Sequence, residues 1–505
     1  MNKRWAAPIA ITVLAGAVRL SGLGAQCFWG DEICSILVSK FQLPASLGYY
    51  MQDPHPPLFY MSVRLMRQLG ESELWLRLLP AMWGILAVPV LYTAVNRLHG
   101  MASASVAALA LAVNPLHYWI SQDLRNLSML TTLCLLSVLL MIPMARGERT
   151  KLRWSHSLVT AAALYTNYFS FFIVAFQAVY LLWRTRSPRA LKHIIVPVLL
   201  FLPWTLFLAL QFIHGQSWRS FIPMWQMTME TWLVWTVNAF PWRYTTFVQP
   251  LDHLYTTDTK TFFLVQLALT IPALILVLMC AIPRSTEKTK LFAAYLLIPT
   301  ALVLVTSVLV PIFHMKYMVV VVPAFAACIG IGFINLWNRN RVVAASCLGI
   351  MLALNCWSIL QVKTDARYVK PPWRGVFADL AQRIEPEHIV LTYNKVSAPD
   401  PVHYYDLGAP FEEIKHAEAV NAPIGRKGFA KRLEPMVRGK STVWMIDYLN
   451  HLHDPQRIVH EILAHWYEPG EPVQVHEFMA MSITPYREPA ADDADYKNLG
   501  SRDEQ

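Results

Sequence analysis

The side chains in this chain best suited to chemistry are charged groups at the ends of apolar stretches. Asp31 and Glu32 follow the first such stretch, and Asp123 stands at the edge of another, just ahead of the next apolar run. Carboxylates bordering lipid are costly unless they face a wet cavity or a partner. Arg77, Arg125 and Lys316 fall at the same kind of edge. Two carboxylate positions and three cations at one membrane level suit a cavity for an anionic substrate. The plainer reading is a set of solvated loop charges, and spacing alone does not choose between them. His55, in DPHPP (53–57), reads either as polar surface or as a group that orients a ligand or joins a metal ion. No His-Cys ligand spacing accompanies it, so a divalent cation stays open and no metal ligand is assigned.

Those edges exist because the chain is built of membrane-length blocks. Of its 505 residues 55% are hydrophobic and 15% charged, with a mean hydropathy of +0.36. Soluble domains carry nearer ~25% charged residues. Disorder, a collagen repeat and a disulfide scaffold are excluded as well, since Gly and Pro show no short period and the seven Cys are few and mostly in apolar settings. Near-uncharged stretches occur at 5–23, 78–96, 102–120, 127–145, 193–213, 261–283, 291–313, 317–337 and 342–362. A further block, 156–183, is too long for one span and too short for two full ones. From Asp365 the pattern stops.

Basic residues are retained on the cytoplasmic side. Arg146, Arg149, Lys151 and Arg153 precede the 156–183 block, and Arg184, Arg186, Arg189 and Lys192 follow it. Both clusters lie on one face only if that block enters and returns, breaking near Thr166, Asn167 and Tyr168. The count is then about eleven segments, with the amino terminus inside and the carboxyl domain outside. The net charge of +10 is therefore mostly a topology signal and does not point to nucleic acid. The first span reads as an uncleaved anchor. The expected fold is an α-helical multispanning membrane domain over 1–362, an extracytoplasmic α/β domain over 363–488 and a disordered acidic tail over 489–505.

In the carboxyl domain, WRGVFADLAQRI, KGFAKRLEPMV and DPQRIVHEILAHW read as helices, the last of them capped. HIVLTY, STVWMIDYL and PVQVHEFMAMSI read as strands. HEILAH is no zinc-protease motif, because residues five apart diverge by about 140° on a helix. The outer stretch 215–260 carries Trp218, Trp225, Trp232, Trp235 and Trp242, which suits a helix in the membrane interface or a plain aromatic belt. Cys27 and Cys34 lie where they could pair, though nothing requires it.

FWGDE (28–32), DPHPPLFY, SELWLRLLPAMWGILAVPVLY, NPLHYWISQDLRNLSML and PIFHMKYMVVVVPAF together resemble the GT-C superfamily of membrane glycosyltransferases. The match lies with the bacterial branch related to protein O-mannosyltransferases and to the aminoarabinose transferase of lipid A. It covers about the first 340 residues, and PPWRGVFADLAQRI is similar to the start of the exported domain in that branch. The resemblance implies inverting transfer of a sugar from a polyprenyl-phosphate carrier to a hydroxyl of an envelope lipid, glycan or protein, at the outer face of the cytoplasmic membrane. It implies Asp31 as catalytic base, with Glu32 and Asp123 in support, and His55, Arg77, Arg125, Lys316 and Tyr317 binding substrate. Two departures from the family pattern stand out: Asp123 in SQDLR where Glu is usual, and Lys316-Tyr317 where Arg-Tyr is common.

Rival functions meet the same facts less well. A glycan polymerase or ligase would place its long loop late and lack the Asp31-Glu32 pair. A transporter would carry charges or paired breaks at the bilayer midplane. A reporter fused after Val362 is expected to be active only when that point lies outside the cytoplasm; activity confined to a cytoplasmic reporter would overturn the topology.

Overall fold

In this structure, a computed structural model, residues 3–40, 55–148, 152–214, 221–236, 267–281, 287–364, 370–394, 401–415, 425–448, 456–476 and 481–489 are described. Asp53 and Pro54, Trp218 and Trp242, and the acidic tail from 490 onward lie outside them. Two compact units form. One comprises Met1–Ala25 and Val38–Asp365, the other Gln26–Leu37 and Ala366–Gln505. The second unit thus takes in part of the loop that follows the first apolar stretch, a grouping that hydropathy does not register.

The larger unit is helical. Among the described residues six helical stretches are long and apolar enough to cross a membrane: Glu73–His99, Leu127–Ala145, Pro188–Gln211, Lys290–Leu309, Met315–Trp337 and Arg341–Thr364. Shorter apolar helices accompany them at Trp5–Leu20, Met101–Ala112, Ser170–Thr185 and Ile271–Ala281. The 156–183 block divides where its flanking charges require, into Leu152–Leu164 and Ser170–Thr185. The stretch 102–120 also divides, which hydropathy did not foresee. Met101–Ala112 ends, and Asn114 starts the short helix Pro115–Ser121, its side chain accepting the His117 N–H at 3.0 Å with proline in the first turn.

Apolar helices gain little from packing against one another in lipid, so close approach and polar contacts decide which faces meet. The Leu127–Ala145 helix is buried along most of its length. Its Ser128 and Thr132 hydroxyls donate to the carbonyls of Pro80 and Trp83 at 2.7 and 2.8 Å, and Gln177 donates to Ser137 at 2.6 Å. On Val322–Trp337, Gly330 and Gly332 lie against two different helices. A Cβ at Gly330 would stand 2.3 Å from the Ser103 carbonyl oxygen, and one at Gly332 only 1.8 Å from that of Leu276.

The smaller unit builds one sheet from β1 (His388–Asn394), β2 (Phe411–Lys415), β3 (Thr442–Asp447), β4 (Glu468–Pro469), β5 (Val473–His476) and β6 (Met481–Arg487), in the order β2-β1-β3-β6-β4, with β5 also on β6. β1 runs parallel to β2 and β3, while β6 runs antiparallel to β3. Ile389, Leu391, Val443 and Met445 face a core completed by Phe429 and Leu433 of Gly425–Val437 and by Val459, Ile462 and Leu463 of Ile458–Trp466. Two expectations need correction. PVQVHEFMAMSI is not one strand but β5 and β6, paired antiparallel with a register shift between Gln474 and His476. The last helix has no side-chain cap, because Arg457 occupies that position with φ +53°.

Gly332→Ala is expected to lower stability in detergent by about 1–3 kcal/mol, the usual cost of overpacking. A thermal unfolding midpoint equal to that of the parent would show that the two helices can part freely.

Candidate active site

In the larger unit the break between Leu164 and Ser170 is the meeting point. A broken helix in lipid leaves backbone groups that must find partners within the protein. Two separate sequence motifs supply such partners, and a third packs a ring against the break. The Leu58 N–H, just after His55-Pro56-Pro57, donates to the Tyr165 carbonyl at 3.0 Å. Asn126, at the end of SQDLRN, donates to the Thr166 carbonyl at 3.1 Å and accepts from the Asn167 side chain at 3.2 Å. Asn167 Oδ1 also accepts the Phe169 N–H at 2.9 Å. Phe169 then stacks on Tyr317 with centroids 4.5 Å apart, and His55 meets the same tyrosine edge-on at 6.4 Å.

Asp123 and Arg125 are pinned from both sides. After them comes Asn126. Before them Gln122 donates to the Arg19 and Ser21 carbonyls at 2.8 and 3.1 Å and accepts the Tyr118 hydroxyl at 2.7 Å. Asp123 is buried and Arg125 half-buried. Lys316 is 7% exposed, on the turn Met315–Val321, with its Nζ 5.7 Å from the Tyr317 ring centre. The structure therefore gathers His55, Asp123, Arg125, Lys316 and Tyr317 around one break. Arg77 is buried and donates to the Leu23 carbonyl at 3.2 Å, at the end of the first span.

Several residues of this frame escaped the sequence reading. Arg19 is fully buried, within the near-uncharged stretch 5–23. Its guanidinium reaches the Ala112 and Leu111 carbonyls at 2.9 and 3.2 Å and His117 Nδ1 at 2.7 Å, closing the end of Met101–Ala112. Asn114 Nδ2 donates to the Trp235 carbonyl at 2.9 Å, and Trp235 Nε1 donates to the Met318 carbonyl at 3.2 Å. The helix Met224–Thr236 from the tryptophan-rich stretch thus ties the start of the Pro115–Ser121 helix to the Lys316 turn.

Asp31 and Glu32 belong to the smaller unit, in the first turn of Gly30–Lys40. Asp31 is half-buried. Glu32 is wholly buried, 2.8 Å from Lys370 Nζ, and accepts the Trp29 N–H at 3.3 Å. Cys27 and Cys34 are both buried. His460 serves the sheet, with Nε2 2.7 Å from Asp447 and Nδ1 2.6 Å from the Tyr486 hydroxyl, while His465 is exposed. Among the described residues no three His, Cys, Asp or Glu side chains are grouped to hold a metal ion.

Residues 54–213 match the family model for dolichyl-phosphate-mannose-protein mannosyltransferases. No curated protein matches in sequence. Among solved structures, ArnT from Cupriavidus metallidurans in the apo state superposes with a TM-score of 0.60 at 13% identity, over 94% of this chain and 97% of that one. The apo oligosaccharyltransferase of Archaeoglobus fulgidus gives 0.54 at 9% identity, over 97% of this chain and 75% of that one. The chain has the GT-C fold. Three of the sequence motifs that suggested this fold, those carrying His55, Asn126 and Tyr317, meet at the helix break. The same protein from Cupriavidus metallidurans bound to undecaprenyl phosphate also shares the GT-C arrangement, at a TM-score of 0.56 and 13% identity over 96% of this chain and 98% of that one.

One ionisable group in this GT-C frame was foreseen by no motif. Glu230, on Met224–Thr236, is buried and accepts from Gln226 Nε2 at 2.8 Å. Burial, partly offset by that hydrogen bond, pushes its pKa from the ordinary 4.5 up to about 7. Between those values the folded chain holds a proton that the unfolded chain has lost. The resulting stabilisation is complete below pH 4.5 and is lost as pH rises through 7. Amide exchange in Met224–Thr236, corrected for its intrinsic pH dependence, should be slower at about pH 5 than at about pH 8. Glu230→Gln should abolish the difference, and equal protection of the parent at both pH values would refute the buried carboxyl.

Proposed function

We propose that the chain is an integral membrane glycosyltransferase that moves a sugar, with inversion, from a polyprenyl-phosphate carrier to a hydroxyl of an envelope lipid, glycan or protein. It acts at the outer face of the cytoplasmic membrane. The observation that carries this reading is the gathering of Lys316-Tyr317, Asp123-Arg125 and His55 at one helix break, in a fold shared with a protein solved bound to undecaprenyl phosphate.

In the proposed reaction the acceptor oxygen bonds to the anomeric carbon. The bond from that carbon to the phosphate oxygen breaks, and its electron pair leaves with the lipid phosphate. The acceptor proton passes to Asp31 as general base. Phosphate is a good leaving group without protonation, so one carboxylate is enough, unlike the pair a glycosidase needs. Charge grows on the phosphate as it departs, and fixed cations there lower the barrier. Arg125 and Lys316 take that role, Arg125 as a two-pronged donor and Lys316 as a point charge. Asp123 orients the acceptor, Glu32 supports Asp31, and His55 and Tyr317 border the sugar. Arg77 is a weaker phosphate candidate, its guanidinium already engaging Leu23.

Mass spectrometry of envelope lipids and glycans from a deletion strain beside its parent should reveal one missing glycosylated species and so name the acceptor. Asp31→Asn should cut transfer by roughly 10²–10⁴-fold while leaving undecaprenyl-phosphate binding intact. Arg125→Ala and Lys316→Ala should each weaken that binding by about 1.5–3 kcal/mol. Parental transfer by folded Asp31→Asn protein in lipid would end the mechanism, and parental binding by both cation variants would end the phosphate assignment.

A further inference from the structure

A general base works only within hydrogen-bond reach of the proton it takes. Asp31 stands in the first turn of a short helix, where backbone N–H groups lack helical partners. Ends of this kind usually fray or take water. Here three successive N–H groups leading into the helix are each held by a side chain. The Phe28 N–H donates to the Tyr405 hydroxyl at 2.6 Å, the Trp29 N–H to Glu32 at 3.3 Å, and the Gly30 N–H to the Tyr448 hydroxyl at 3.0 Å. Glu32 reaching back to Trp29 is one half of a capping box, and Lys370 holds that carboxylate at 2.8 Å.

Each of these contacts lies within the smaller unit. The Lys370 backbone N–H donates to Gln26 Oε1 at 3.2 Å, and the Phe28 ring meets Tyr404 edge-on at 5.0 Å. Tyr448 is itself held, because Trp373 packs edge-on against its ring at 5.0 Å. It directly follows Asp447, the buried end of β3, which is bonded to His460. The fit at Gly30 is close, since a Cβ there would stand 3.1 Å from the Tyr448 oxygen. None of these groups needs to touch substrate. What they share is the backbone immediately before Asp31.

We propose that the carboxyl-terminal domain is a positioning device for the catalytic base, with Tyr405, Tyr448 and Lys370 fixing residues 28–32 so that Asp31 is held where transfer requires it. This rests on the assignment of Asp31 as base. It gives the domain a part in the chemical step and gives Glu32 its supporting role through the loop backbone. Misplacing a reacting group by about 1 Å costs on the order of 100-fold in rate, so small tethers suffice.

The test uses the full chain. Tyr405→Phe/Tyr448→Phe deletes two hydroxyls and keeps both rings. In lipid nanodiscs, amide exchange of the peptide covering Gln26–Leu37 should speed up while binding of undecaprenyl phosphate is unchanged. In cells, the rate at which induced expression restores the product missing from the deletion strain should fall roughly 10- to 100-fold per molecule of enzyme. In an Asp31→Asn background the same two changes should cost nothing further, whereas general damage would multiply with it. Lys370→Met should behave like the tyrosine pair and Lys370→Arg should recover most of the loss, which keeps the test decisive if the double variant folds poorly. Unchanged exchange of that peptide, a parental restoration rate, or losses that multiply with Asp31→Asn would each overturn the positioning role. If Asp31→Asn alone restores product at the parental rate, the assignment of the base has failed instead.

Discussion

The membrane unit is organised by one requirement, that a helix broken inside an apolar medium must have its exposed backbone groups satisfied by protein. The break after Leu164 meets it by drawing in chain from far away. Leu58 supplies an N–H, Asn126 supplies an amide, and Phe169 supplies a ring on which Tyr317 stacks. A continuous helix over 152–185 would offer none of these contacts. The segments bearing His55, Asp123, Arg125 and Lys316 would then lose their common support. Stability and placement of the site share the same hydrogen bonds.

Polar residues elsewhere in the unit work in the same way. Arg19 would be expensive in lipid as an isolated charge, yet it closes a helix that ends early and so makes room for the short turn at Pro115. That turn delivers Gln122, and Gln122 with Asn126 brackets Asp123 and Arg125. The bracketing amides have no chemistry of their own. They hold a carboxylate and a guanidinium on a segment too short to have a regular structure.

Much of this was legible from sequence because lipid makes strong, simple demands. Apolar length located the six long apolar helices among the described residues, and the two basic clusters around 156–183 called for a break at Thr166, Asn167 and Tyr168, where the helix does break. The early end of Met101–Ala112 was not legible, since Ala and Leu continue to Asn114 with no change in hydropathy and Arg19 lies more than ninety positions away from its partners. β2 was missed because FEEIK is a short, charged edge strand, a pattern that edges favour and that resembles loop. Division of 473–487 into β5 and β6 was hidden because Val, Phe, Met and Ile recur across 473–483 with no Gly, Pro, Asn or Asp to mark a turn. The ties on residues 28–32 had no local signal at all. Tyr405 and Tyr448 act from 377 and 418 positions away through hydroxyls that any surface tyrosine carries.

The two departures from the family pattern take on physical sense in this frame. Lysine in place of arginine at 316 forfeits the planar fork that grips two phosphate oxygens, but the turn that carries it is set by Tyr317, itself between Phe169 and His55. In the proposed reaction a point charge at that position would keep most of its attraction for a dianionic leaving group, because Coulomb attraction depends on distance and local dielectric more than on the donor's shape. Arg125 remains the one fork in the constellation, on a segment whose neighbour Asp123 is one methylene shorter than the family's glutamate. A shorter acid on a backbone bracketed at both ends has fewer rotamers to lose on ordering. In both positions the side chain has less reach, and the backbone that carries it is held by contacts on either side.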